Sequence, residues 1–352
     1  MKLADFILQR AHHLNPGSFA LVMATGIVSI DVNQHGMHGL ALTLLGINLL
    51  AWLVLLTLTV LRLLLFRREL VADFVDPARG AGFLTLAAAT CVLGSQFMLV
   101  VHLPKLACVL ALLGALFWAL LTYLFFAATI TARTKPSFTH SINGSWLVAV
   151  VATQALAVLL ALLVSDQPSL HPAAWLFSAL CLYLLGDALY LLLITLVVYR
   201  IVFFPLRARE FTPPYWIDMG ALAITTLAGS LIVLYTPATS PLAELMPFVK
   251  GFTLFFWATA TWWVPLLVML EIWRHDWRHV PIRYEVDDWD IVFPLGMYTV
   301  GTYELAQALK LDFLQAIPAV GVYISLLVWL LVASGALRRW YLVLAAGDTQ
   351  PS

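Results

Sequence analysis

Hydrophobic residues divide the chain into ten long apolar segments, separated by short stretches that contain charged residues, proline or glycine. A helix rises about 1.5 Å per residue, so each segment can cross a hydrocarbon core of about 30 Å, some with help from flanking residues. The sequence therefore predicts an all-α integral membrane protein, with residues 1–352 forming a single ten-span domain. The predicted spans are 16–33, 39–65, 79–102, 104–130, 144–164, 172–203, 215–236, 247–272, 289–309 and 316–340.

Polar residues are unevenly distributed between these segments. Small and hydroxyl-bearing residues concentrate in the odd-numbered segments, whereas the even-numbered segments are long runs of Leu, Val, Trp and Phe. Small and polar residues suit close helix packing or a water-filled path, and long aliphatic residues suit lipid. We therefore predict an inner ring of odd-numbered helices inside an outer ring of even-numbered helices.

Two stripes on the odd-numbered segments are candidates for the lining of a pore. Ser18, Thr25 and Ser29 share one helix face in the first segment, and Asp218 and Thr225 repeat this spacing in the seventh. Close helix packing is the alternative explanation for both stripes.

Basic residues alternate between the two sides of the predicted membrane domain. All but three of the 19 Lys and Arg residues lie near the termini or in the connections that follow even-numbered segments; the exceptions are Lys105, Lys250 and Lys310. By the positive-inside rule, we expect both termini to be cytoplasmic in a plasma (inner) membrane.

Composition supports a membrane protein and gives little support to other classes. Hydrophobic residues make up 62% of the chain, which indicates a protein surrounded by lipid. The formal net charge is zero, so no basic surface for nucleic acid is predicted. The first fifteen residues carry acid, base and two histidines, so we expect no cleaved signal peptide. No catalytic triad order, P-loop or dinucleotide fingerprint is evident in the sequence, so neither an enzyme nor a cofactor is predicted.

Two histidines and three cysteines are candidate metal ligands by residue type. His275 and His279 are spaced i, i+4, but the neighbouring tryptophans and arginines favour an interfacial anchor, and no metal is expected there. Cys91, Cys108 and Cys181 lie in apolar surroundings without metal-ligand spacing.

Two short motifs carry a family resemblance. NPGSFALVMATGIVSI (15–30) and WDIVFP (289–294) closely resemble the tellurite-resistance/dicarboxylate transporter family, which includes slow-type plant anion channels, bacterial tellurite-resistance channel homologues and fungal malate and sulfite transporters. The resemblance implies five helical hairpins in a quasi-fivefold arrangement, with the odd-numbered helices around a central pore. It also implies a homotrimer with one pore in each protomer, and a pore that is occluded by the phenylalanine of the F-P pair, here Phe293.

The ninth segment places an aromatic residue and an acid on one helix face. Phe293 and Glu304 are eleven residues apart, which returns to within about 20° of the starting direction, and Met297 and Val300 lie between them on that face. Pro294 leaves a backbone carbonyl unpaired and creates a point of bending beside Phe293. Glu304 is interpreted either as a carboxylate at the pore mouth or as a residue at the outer interface.

These features predict transport of small anions through a pore gated by Phe293. The protein is expected to be an anion channel or a C4-dicarboxylate (malate-type) transporter. The alternative is a proton-coupled carrier or exporter for sulfite or other small organic anions, and a membrane enzyme or scaffold is a third class. Asp187, in the sixth segment, is interpreted as either a proton site or a structural residue.

Overall fold

Ten long helices form the body of the protein. The computed structural model describes residues 3–166 and 172–345, so residues 1–2, 167–171 and 346–352 of the predicted domain lie outside it. Within the described ranges the secondary structure is helical and contains no strand. The helices are α1 (Ala20–Gln34), α2 (His38–Leu65), α3 (Thr85–Val101), α4 (Pro104–Thr131), α5 (Val148–Asp166), α6 (Pro172–Phe203), α7 (Ile217–Tyr235), α8 (Met246–Ile272), α9 (Trp289–Leu309) and α10 (Ala316–Ala345).

Shorter helices occupy the ends and connections. Leu3–His12 precedes the membrane body, Arg67–Val75 follows α2, and Phe138–Ser141 lies between α4 and α5. A π-helical turn, Trp273–Trp277, extends α8.

A 3-10 turn leads into each odd-numbered helix. The five turns are Pro16–Phe19, Gly80–Leu84, Gly144–Leu147, Pro213–Trp216 and Val286–Asp288. Two of them begin with an asparagine cap, since the side chains of Asn15 and Asn143 accept from the amides of Gly17 and Ser145. Each turn contacts the next around the molecule, and a Cβ at Gly144 would collide with the carbonyl of Pro214.

The odd-numbered helices pack side by side into a closed ring. Contacts run from α1 to α3, α5, α7 and α9, and α9 returns to α1. Each odd-numbered helix also packs against the even-numbered helix that follows it, which gives five antiparallel hairpins. The odd-numbered helices are therefore parallel to one another, and their amino-terminal ends lie at the same end of the ring.

Burial separates the two sets of helices. In α1, α3, α5 and α7, between 83% and 94% of the most apolar stretch is buried, compared with 17% to 33% in the even-numbered helices. The prediction of inner odd-numbered and outer even-numbered helices in a quasi-fivefold fold is confirmed. The exposed Leu, Val and Phe side chains of the outer ring are the surface that lipid would cover.

Helix α9 differs from the others in polarity. Among the described residues, nine helices are long and apolar enough to cross a membrane by length and composition, and α9 is not one of them. Its acids Asp290 and Glu304, together with its threonines and tyrosines, lower its hydropathy. Because α9 packs inside the ring between α1 and α7, most of its surface faces protein instead of lipid.

A repeated hydrogen bond joins each of four outer helices to the next inner helix. In each case a tryptophan indole N–H donates to a threonine hydroxyl at 2.8 to 3.1 Å. The pairs are Trp52–Thr90, Trp118–Thr153, Trp257–Thr302 and Trp329–Thr25. A buried tryptophan N–H usually has a hydrogen-bond acceptor. These bonds provide that acceptor, and each one ties an outer helix to a defined position along the neighbouring inner helix.

Candidate functional site

A central cavity lies inside the ring of odd-numbered helices. Each of the five helices contributes three residues at positions i, i+3 and i+7, which form one helix face. Since the helices are parallel, the lining forms three successive levels along the axis.

The three levels contain one residue from each helix. The first level is Ile27, Val92, Ala155, Ile224 and Met297. The second level is Ile30, Ser95, Val158, Leu227 and Val300. The third level is Gln34, Leu99, Leu162, Leu231 and Glu304.

The lining is apolar apart from three side chains. Ser95 lies in the second level and donates its hydroxyl to the carbonyl of Cys91 at 3.1 Å, which leaves its oxygen able to accept. Gln34 and Glu304 lie together in the third level. None of the lining side chains in the described part of the chain is basic.

Phe293 lies one helical turn before Met297, at the amino-terminal end of the cavity, and is only 1% exposed. The positions at the same register on the other four helices are Met23, Ala88, Val151 and Gly220, and all four are buried. Phe293 is the one aromatic residue in this level, since Met23 and Val151 are aliphatic and Ala88 and Gly220 are small. The level is therefore closed to water in this structure.

Pro294 lies inside α9 directly after Phe293 and packs against α7. Because proline lacks an N–H, the carbonyl of Asp290 loses its helical hydrogen-bond partner. A Cβ at Gly220 would lie 2.7 Å from Cγ of Pro294, so only glycine fits at this contact. Sequence inspection identified the bend but not Gly220, whose role depends on the neighbouring helix.

Glu304 and Gln34 are hydrogen bonded at the carboxyl-terminal end of the cavity. Nε2 of Gln34 donates to Oε1 of Glu304 at 2.7 Å, which connects α1 to α9. Both side chains are partly exposed, in contrast to the fully buried level at Phe293. The cavity is thus closed by apolar side chains at one end and bordered by an amide and a carboxyl group at the other.

The remaining candidate pore residues on α1 lie outside this lining. Thr25 is two residues from Ile27, a rotation of about 200°, and its hydroxyl accepts from the Trp329 indole on α10. Ser29 donates to the carbonyl of Ala41 on α2 at 2.8 Å. Ser18 lies in the turn before α1 and donates to the carbonyl of Asn15 at 2.7 Å.

The two candidates on α7 also lie away from the cavity. Asp218 is fully buried, and the Tyr190 hydroxyl of α6 donates to its backbone carbonyl at 3.2 Å. Neither carboxylate oxygen of Asp218, nor the hydroxyl of Thr225, has a hydrogen-bond partner among the described residues. Thr25 and Ser29 of α1 therefore bond to outer helices, and of the candidate lining residues only Met297, Val300 and Glu304 border the cavity.

Two further buried acids connect inner and outer helices. Asp31, which sequence inspection missed, accepts from the Ser325 hydroxyl of α10 at 2.6 Å and lies 3.4 Å from Nδ1 of His35. Asp187 of α6 accepts from Nε2 of Gln154 on α5 at 3.1 Å. Both acids join neighbouring helices, and neither borders the cavity.

The turn before α9 carries two partly buried acids outside the spanning helices. Asp287 accepts from Nδ2 of Asn15 at 3.0 Å, which connects the first and last of the five turns. Burial raises the pKa of Asp287, and burial also raises the pKa of Asp288 to about 6. Asp288 accepts from the amide of Glu285 at 2.9 Å in a capping box that begins α9.

No cluster of three or more His, Cys, Asp or Glu side chains is placed to hold a metal ion within residues 3–166 and 172–345. The three cysteines have free thiols, and Cys91 is buried between α3 and α4, where its sulfur would meet a Cβ at Gly114.

Comparison with known proteins places the whole membrane body in one family. The family described as voltage-dependent anion channel matches residues 13–337. An uncharacterized transporter of Methanocaldococcus jannaschii is 25% identical over 329 residues, which cover 90% of this chain and 88% of that protein. A second uncharacterized transporter of this organism is 23% identical over 298 residues, covering 81% of this chain and 82% of that protein. An uncharacterized membrane protein of Mycobacterium tuberculosis is 44% identical over 142 residues, covering 40% of this chain and 71% of that protein.

Proposed function

Because the chain belongs to the voltage-dependent anion channel family, we propose that it conducts small anions through the cavity between its five odd-numbered helices. Family membership confirms the resemblance carried by residues 15–30 and 289–294. Membership and the two transporter relatives support membrane transport of anions or other small solutes in general, and a transporter in preference to an enzyme. The observation that carries the proposal is the cavity itself, which receives the same three-residue face from every inner helix.

Phe293 is proposed to be the gate of this path. Its ring lies in a fully buried level at the end of the cavity, on the helix face that Met297, Val300 and Glu304 share. An aromatic ring in an apolar constriction excludes water and thereby blocks ions without any charge. Pro294 would allow the ring to move, since it removes one hydrogen bond from the helix beside it.

The chemistry of the lining favours weak anion binding. With no basic side chain among the described lining residues, an anion would be stabilised by hydroxyl, amide and backbone dipoles, such as those at Ser95 and Gln34. Weak sites release ions readily, so we propose a channel that conducts several small anions, or a malate-type transporter that uses the same path.

A proton-coupled carrier for sulfite or small organic anions is the second candidate. It is favoured by one observation, the carboxyl group of Glu304 at the border of the cavity, because acids inside membrane proteins often take part in proton transfer. A carrier would saturate and depend on the pH gradient, whereas a channel would not.

We further propose a homotrimer in the plasma (inner) membrane, with both termini cytoplasmic. Each chain closes its own ring, so each protomer would contain a complete pore. The distribution of Lys and Arg supports the orientation, and the family resemblance supports the trimer. Native mass spectrometry in detergent would test the trimer.

Flux measurement with the purified protein in liposomes tests the function. Chloride, nitrate, malate and sulfite should be compared with and without a pH gradient, alongside protein-free liposomes. Anion flux above the protein-free level supports the proposal, and obligatory dependence on the gradient would favour the carrier. If none of the four anions crosses faster than in protein-free liposomes, the proposed function is rejected.

A further inference from the structure

Glu304 brings an acidic side chain to the border of a cavity that the proposed function assigns to anions. The side chain is held in place from the neighbouring helix, since Nε2 of Gln34 donates to Oε1 at 2.7 Å. Among the described residues Glu304 forms no ion pair with a basic side chain. His35, the residue after Gln34, is instead engaged by Asp31, with Nδ1 at 3.4 Å from Oδ1 and 2.9 Å from the carbonyl.

The other three residues at the level of Gln34 and Glu304 are all leucines. Leu99, Leu162 and Leu231 complete the ring around Gln34 and Glu304, and none of them provides a polar group. An anion that crosses this level must therefore pass close to the carboxyl group of Glu304. On three sides of its path it meets leucine side chains instead of water. Charges interact more strongly in such surroundings than in bulk water, because there is less solvent to screen them.

This geometry points to Glu304 as a residue that determines specificity, and we propose that it selects permeating anions by charge number. The inference rests on the proposed function. Repulsion between the carboxylate and a permeating ion is proportional to the charge of that ion, so a dianion is repelled twice as strongly as a monoanion at the same distance. A monoanion can be compensated by the Gln34 amide and nearby dipoles, whereas the second charge of a dianion has no matching donor at this level.

The proposal defines the substrate class as singly charged small anions. A dicarboxylate or sulfite would pass in its singly protonated form and not as the dianion. Each such ion would bring one proton with it, so net transport would move acid equivalents even if no side chain of the protein carried a proton.

Paired flux measurements of a monoanion and a dianion test this idea. Nitrate and sulfate are suitable because neither changes its charge near neutral pH, and about pH 8 is suitable because carboxylates there are ionised unless strongly perturbed. Glu304→Gln removes the charge while keeping the size of the side chain and its ability to accept from Gln34. Glu244→Gln is the matched control, since Glu244 is an exposed acid in the turn before α8 and lies outside the cavity.

We expect Glu304→Gln to raise the ratio of sulfate to nitrate flux by about tenfold or more, and Glu244→Gln to leave the ratio unchanged. Glu304→Asp keeps the charge and should keep the wild-type ratio, which separates loss of charge from disturbed packing. If nitrate flux is present but the ratio is the same in wild type and Glu304→Gln, the charge selection is wrong and the transport function stands. If wild type carries neither ion, and chloride, malate and sulfite also cross no faster than in protein-free liposomes, the proposed function itself fails.

Discussion

Gly220 and Pro294 meet at the contact between α7 and α9, where a Cβ added to Gly220 would lie 2.7 Å from Cγ and 3.1 Å from Cβ of the proline ring. The proline ring is rigid and cannot turn away as a flexible side chain would. Gly220 also lies at the level of Phe293, so this contact sets the distance between α7 and the helix that carries the proposed gate. The fit of glycine against proline therefore allows α9 to lie close to α7 beside Phe293.

Substitution of Gly220 by alanine is expected to separate α7 from α9 locally. Overpacking of this kind costs about 1–3 kcal/mol, so the thermal midpoint of unfolding in detergent should fall. We also expect anion flux to change, because displacement of Pro294 moves Phe293. Gly251→Ala is the control, since a Cβ at Gly251 meets no atom within 4 Å. Unchanged stability and flux in Gly220→Ala would show that the contact does not constrain α9.

Replacement of Phe293 by alanine should open the closed level. The ring is the one aromatic group at this level, and its removal leaves a space that water and anions can enter. We expect anion flux in liposomes to increase by at least about tenfold, which corresponds to about 1.4 kcal/mol in the barrier.

Phe256→Ala is the matched control for the gate. Phe256 is equally buried but lies on α8, outside the cavity. The control should lose stability, by about 3–5 kcal/mol, without a rise in flux. If both variants conduct equally, the increase reflects general loosening of the bundle, and if well-folded Phe293→Ala conducts no more than wild type, Phe293 is not the gate.

The architecture could be predicted because lipid and protein select different residues. Long aliphatic residues on even-numbered helices and small or hydroxylated residues on odd-numbered helices follow from which helices face lipid, and the structure has this arrangement. A further signal in the sequence was missed, since an aromatic residue lies within one position of the last residue of each 3-10 turn, such as Phe19, Trp146 and Trp289. Alignment of these turns would have revealed five internal repeats.

The lining of the cavity was harder to predict because it is apolar. Along α5 the lining residues Ala155, Val158 and Leu162 cannot be distinguished by sequence from ordinary core residues. The hydroxyl groups of Thr25 and Ser29, which the sequence makes candidates for the pore lining, instead form hydrogen bonds with a donor and an acceptor on outer helices. Among the inner helices, only α9 has a sequence pattern that indicates its lining residues. Phe293, which is followed by Pro294, lies on the same helix face as Glu304.

Substitution of Thr25 by valine tests the position of this residue outside the cavity. Valine has nearly the same shape but leaves the Trp329 indole N–H without its acceptor, which costs about 1–3 kcal/mol. We expect a lower thermal midpoint of unfolding and an unchanged nitrate-to-chloride flux ratio. Thr57→Val is the control, since the exposed Thr57 hydroxyl bonds only within its own helix, to the carbonyl of Leu53. A changed flux ratio in Thr25→Val would place Thr25 on the anion path.

Protonation of Asp288 is expected to make stability depend on pH. Burial raises its pKa to about 6, from an ordinary value near 3.9 in the unfolded chain. Because the pKa of Asp288 is higher in the folded state, the folded protein binds this proton more tightly than the unfolded chain does. The resulting stabilisation of the folded state is complete below about pH 4 and is lost as the pH rises through about 6. The effect should be at most about 1 kcal/mol, since solvent screens this partly exposed group.

The variant Asp288→Asn isolates this contribution. Asparagine is neutral at every pH and can still accept from the Glu285 amide, so the capping box before α9 is kept. Thermal midpoints measured in detergent at about pH 4.5 and about pH 7 should differ less in Asp288→Asn than in wild type. Asp276→Asn, at an exposed position in the turn after α8, should keep the wild-type difference. A wild-type pH response in Asp288→Asn would assign the titration to another acid at this end of the ring, with the partly buried Asp287 the first to test.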